Sequence, residues 1–106
     1  MIENRKDCWL KCARWEVPSH MHGAVERYLF DGLDGGSFFN AMMENNFLMA
    51  AACSDEINSR ALKLWASFIT NEFPTTSYGS PGKVRLWCES RANRVAYPGV
   101  DRRNRA

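Results

Sequence analysis

No run of apolar residues in this chain approaches the roughly 18–20 needed to cross a bilayer, so a membrane-spanning protein is not expected. The opening residues, MIENRKDCWLKC, lack an apolar stretch behind their charges, so no signal peptide is expected and the cytoplasm is the expected compartment. In a reducing compartment Cys8, Cys12, Cys53 and Cys88 are expected as free thiols rather than bridges. Cys53 follows three alanines and Cys88 adjoins Trp87, and both read as small buried hydrophobes. Alternating β-branched residues never continue beyond a few positions, and no hairpin turn signal separates apolar runs, which excludes a β or α/β fold. No nucleophile-elbow sequence or cofactor-binding fingerprint occurs, so the chain is not expected to be an enzyme or to carry a cofactor.

What remains is one all-α domain, the 106 residues leaving no room for a second. Residues 1–18 read as an N-terminal arm, with a short helix over about 6–14, packing through Trp9 and Trp15 until Pro18 breaks it. The helical body, 19–91, is expected to contain four to five short helices. Ser19 can cap the first, on which Met21, Ala24, Val25, Tyr28 and Leu29 recur at helical spacing. Gly32, Gly35 and Gly36 stop it, and Asp34 or Ser37 can cap a short helix pairing Phe38 with Met42 and Phe39 with Met43. A further helical turn or two covers Phe47 to Ala52. Ser54-Asp55-Glu56 then opens the best helix, with its stripe of Ile57, Ala61, Leu64, Trp65 and Phe68, ending before Pro74. Ser80-Pro81 is a cap followed by proline at the first helical position. The expected core gathers Trp65, Phe68, Phe38, Tyr28 and Trp87, and residues 92–106 form a basic tail.

Three constellations invite a chemical reading. Cys8, Cys12, His20 and His22 offer the S2N2 donors zinc accepts, but their spacing is not that of a common finger, so packed thiols and surface imidazoles are preferred and no metal is expected. Asp34-Gly35-Gly36-Ser37 resembles a phosphate cradle but follows a helix and lacks a nearby lysine, so a tight helix–helix turn is preferred. The third is charge. Residues 21–82 carry three bases against seven acids, whereas residues 83–106 carry seven bases against two. An acidic body can dock on a basic groove of another protein, and Glu26, Asp31, Asp34, Glu44 and Asn45 are the expected partner-binding edge. Alternatively Arg91, Arg94, Tyr97, Arg102, Arg103 and Arg105 of the tail contact nucleic acid by phosphate pairing and stacking, which would make the chain a small nucleic-acid-binding or regulatory protein.

The segment His22-Gly23-Ala24-Val25-Glu26-Arg27-Tyr28 is followed by Gly32-Leu33-Asp34-Gly35-Gly36-Ser37-Phe38-Phe39-Asn40 and by Ala41-Met42-Met43-Glu44-Asn45-Asn46-Phe47. Asp55, Asn58, Asn71-Glu72-Phe73-Pro74, Gly79-Ser80-Pro81 and Trp87 come after it. Over about residues 18–90 this pattern resembles a family of small phage and prophage proteins, some of them similar to anti-CRISPR proteins of type I systems. The resemblance implies a compact helical fold and a non-enzymatic inhibitor that binds a multi-subunit type I CRISPR effector complex in the host cell, blocking target DNA binding or nuclease recruitment.

Overall fold

A computed structural model of the chain describes residues 1–96, and the side chains of residues 1–91. The described residues form α1 (Arg5–Arg14), α2 (His22–Asp31), α3 (Ser37–Met43), α4 (Phe47–Cys53), α5 (Glu56–Arg60), α6 (Leu62–Glu72) and α7 (Pro81–Ala96), with single 3-10 turns at Ser19–Met21 and Thr75–Ser77. There is no strand among the described residues, and the fold is all-α. No helix among them is long and apolar enough to cross a membrane.

The core assembles around Trp65, which is fully buried. Phe38, Phe39 and Phe68 meet its ring edge-to-face at centroid separations of 6.0, 6.1 and 6.1 Å, an arrangement the aromatic quadrupole favours. Tyr28 links this cluster to α7, lying 5.2 Å from Phe39 and 6.3 Å from Trp87. Both polar ends are satisfied: the Tyr28 hydroxyl donates to Ser77 O at 2.6 Å, and Trp87 Nε1 donates to Tyr28 O at 2.9 Å. Burial pushes the Tyr28 phenol above its ordinary range, so it remains a donor at neutral pH. The five residues expected at the core are all buried, as is the expected stripe of α2.

Several local expectations change. Ser19 caps nothing, because a 3-10 turn closed by Met21 N to Pro18 O at 2.9 Å precedes α2. Neither Asp34 nor Ser37 caps α3. Gly36 holds that position, and Asp34 Oδ1 accepts from its amide at 2.9 Å. Ser54 turns back to donate to Ala51 O, and Asp55 is the cap of α5, its Oδ1 accepting from Asn58 N at 2.7 Å. The single helix expected over 54–73 is two, separated at Ala61 (φ −104°, ψ 13°). Asn58 is buried here and Ile57 is 60% exposed, and the buried Trp65 indole N–H finds its acceptor in Asn58 Oδ1 at 3.0 Å. Cys53 is exposed rather than buried, its thiol donating to Met49 Sδ at 3.6 Å, and Cys88 is half-buried. Ser80 does open α7, accepting from Lys83 N at 3.2 Å, but the helix continues five residues beyond Arg91.

The first eighteen residues do more than drape over the body. α1 buries Cys8 and Cys12 completely and packs on α2. The Cys8 neighbour and burial together push the Cys12 thiol up, which keeps it protonated. On the far side Lys11 Nζ and Trp15 Nε1 reach Glu72 at 3.2 and 2.8 Å, tying α1 to the end of α6. Burial works against the Glu72 charge, but these donors outweigh it and hold the carboxyl below its ordinary value of 4.5. A depressed carboxyl stabilises the fold above its unfolded pKa and loses that contribution as pH falls through its native one. Glu72→Gln is therefore expected to cost about 1 kcal/mol in urea unfolding at pH 7, the size of one charged hydrogen bond screened by solvent. The gap between wild type and variant is expected to narrow progressively as pH falls below 4.5; a gap that stayed unchanged through acid titration would contradict the assigned pairing.

Candidate functional site

The acidic edge expected from the sequence is only partly assembled. Glu26 and Asp31, five residues apart on α2, both pair with Arg5 of α1. The guanidinium pairs with Glu26 at 3.2 Å and with Asp31, and Trp9 Nε1 donates to the other Glu26 oxygen at 2.8 Å. The Asp31 and Glu26 carboxylates raise the Arg5 pKa, so the guanidinium keeps its charge and offsets one of the two negative charges that face it. Asp34 sits in the exposed turn before α3. Glu44 and Asn45 lie elsewhere, at the end of α3.

There the chain makes a sharp corner. Asn45 is left-handed (φ 63°), a conformation that asparagine tolerates better than most residues. Its N–H reaches Met42 O at 3.0 Å and the N–H of Asn46 reaches Ala41 O at 2.8 Å, the paired bonds of a Schellman end. Asn46 then caps α4 through Oδ1 and Met49 N at 3.2 Å. Two asparagines thus end one helix and start the next, and they set α4 so that only Ala50 is buried. Phe47, Leu48 and Met49 are 67%, 79% and 49% exposed. Together they make an apolar patch on the order of 300 Å², the size that on a monomer often marks an interaction site. No charged residue occurs from Asn45 to Cys53.

Beside this patch lies a groove of about 410 Å³. One wall comes from Met42, Phe47 and Ala50, the other from Leu62, Ala66 and Ile69 of α6, with Tyr78 also lining it. Asn45 stands on its margin, so one of the expected partner-binding residues belongs to it directly and Glu44 adjoins it in sequence. Lys63 is the one charged side chain on the groove, and it has no ion-pair partner among the described residues. Sequence periodicity did not single out this surface. The available signal was the composition of α4: seven apolar residues in a helix so short that neighbours cover only one side.

The other candidate groups are dispersed. Cys8 and Cys12 are in the core, the His22 ring meets Val17 O at 2.8 Å and the Trp9 edge at 5.4 Å, and His20 meets Asp55 at 3.0 Å. No set of three or more His, Cys, Asp or Glu side chains placed to hold a metal occurs among the described residues. Arg91 lies over the Trp87 ring, 4.1 Å from its centroid. The Arg94 side chain, Tyr97, Arg102, Arg103 and Arg105 lie outside the described residues. Comparison with known proteins gives no match to any family model, curated protein or solved structure.

Proposed function

We propose that this chain is a non-enzymatic inhibitor that acts by docking on another protein through the exposed side of α4 and the adjoining groove. Its partner in this reading is the one implied by the sequence resemblance, a type I CRISPR effector complex in the host bacterial cytoplasm. The observation that carries the docking part is the exposure of three consecutive apolar side chains, Phe47, Leu48 and Met49, beside an apolar groove. Water is held poorly by such a surface, and covering it is favourable at about 25 cal/mol per Å² before the costs of association.

The test is affinity capture of tagged protein from cells expressing a type I effector complex, with retained proteins identified by mass spectrometry. Recovery of the complex is expected. Leu48→Asp, placed at a site that is 79% exposed and so without consequence for folding, is expected to reduce it at least about tenfold, the effect of one interface anchor. Recovery of nucleic acid alone, lost on removing residues 92–106, would instead favour a nucleic-acid-binding role for the basic tail.

A further inference from the structure

Resting on that docking surface, we infer that the groove between α4 and α6 takes an amphipathic helix that presents apolar anchors together with an acidic side chain. The walls decide the form of the occupant. Both are helices, so their backbone N–H and C=O groups are already bonded internally. An extended peptide laid between them would bring its own amides into an apolar groove with no backbone partners, a costly arrangement. A helix satisfies its own backbone and offers only side chains.

The dimensions agree. On α6 the groove runs from Leu62 to Thr70, about 12 Å at 1.5 Å per residue. That is two turns, long enough for anchors at i, i+3 or i+4, and i+7 of a facing helix. Ala50 lines one wall and Ala66 the other, and their small side chains permit close approach. The lining is mainly apolar, and two of its polar groups are already bonded. Asn46 Oδ1 accepts from Met49 N, and the Thr70 hydroxyl donates back to Ala66 O at 2.8 Å. An apolar face is therefore matched, while a row of polar side chains would find few partners.

Charge sets the remaining preference. The body is acidic over residues 21–82, yet the groove's one charged side chain is the cation Lys63. An acid on the rim of the occupant meets it favourably, and a lysine there is repelled.

The probe is a pair of synthetic 14-residue helical peptides with leucines at i, i+4, i+7 and i+11, one with glutamates on its flanks and one with lysines, followed by fluorescence anisotropy against the full chain. The glutamate peptide is expected to bind at least tenfold more tightly than the lysine peptide. Lys63→Glu reverses the preference. Ala66→Trp fills the groove and abolishes binding, with helical circular dichroism confirming the fold. Absence of binding, equal affinity for both peptides, or undiminished binding to a folded Ala66→Trp variant would overturn the inference. So would sedimentation showing that a second copy of the chain already occupies the groove. Peptide discrimination without capture of an effector complex would retain the groove's specificity and discard the CRISPR partner. Capture of the complex by Ala66→Trp at wild-type yield would do the reverse.

Discussion

Asn58→Ala is expected to lower the unfolding free energy by about 2–4 kcal/mol, combining the cost of an orphaned buried donor with lost packing. Asn58 is 2% exposed and every polar atom of its amide is directed at a partner. Its Oδ1 accepts from Trp65 Nε1 at 3.0 Å, and its Nδ2 lies 3.3 Å from Asp55 Oδ2 and 3.4 Å from His20 Nε2. Removing the amide leaves the indole N–H in a site closed to water, since Trp65 is fully buried. Trp65→Phe removes the donor instead and strands the Asn58 oxygen, at a smaller expected cost of about 1–2 kcal/mol beyond the change in ring size. The double variant Asn58→Ala/Trp65→Phe has no hydrogen bond left to break. Urea denaturation of all four proteins is therefore expected to give a coupling energy of about 1 kcal/mol. Losses that simply add would show that the bond contributes nothing, and that Asn58 is buried for some other reason.

The same residue shows why the sequence could be read only so far. Spacing alone places Ile57 in the stripe with Ala61, Leu64, Trp65 and Phe68, because periodicity weighs apolarity and takes no account of an indole needing an acceptor. In the fold the inward position goes to Asn58, the helix breaks at Ala61, and the isoleucine turns outward. Where no polar group intervened, as along Met21, Ala24, Val25, Tyr28 and Leu29, the pattern and the burial agree. At Ser80-Pro81 the local chemistry of a cap was sufficient by itself. Pairings across long separations left no trace in local pattern. Arg5 meets Glu26 and Asp31 at separations of 21 and 26 residues, which turns half of an apparent acidic surface into a helix–helix clamp. The docking surface was hidden for a different reason. Phe47 to Cys53 reads as apolar whichever side faces inward, and only the Asn45-Asn46 corner determines that Ala50 goes in and Leu48 stays out.

Gly35→Ala and Gly36→Ala are each expected to destabilise the protein by about 1–3 kcal/mol, the range for overpacking and for backbone strain. They do so for unrelated reasons that experiment can separate. A Cβ on residue 35 would stand 2.6, 2.9 and 3.0 Å from the Cδ2, Cγ and Cβ of Phe39. That ring has no room to retreat, being fully buried with Tyr28 at 5.2 Å, Trp65 at 6.1 Å and Phe73 at 6.5 Å. At residue 36 the space is open, with nothing within 4 Å of the added carbon, but the backbone is at φ 96° and ψ 171°, which glycine adopts freely and L-residues avoid. Inverting the chirality distinguishes the two causes. The exposed Cys53 provides a junction at which a synthetic segment 1–52 can be ligated to the rest of the chain, so D-alanine can be placed at residue 36. There the positive φ suits the D-residue, and stability is expected to return to within about 0.5 kcal/mol of the glycine protein. If D-alanine proved as harmful as L-alanine, the loss would come from contact rather than from φ.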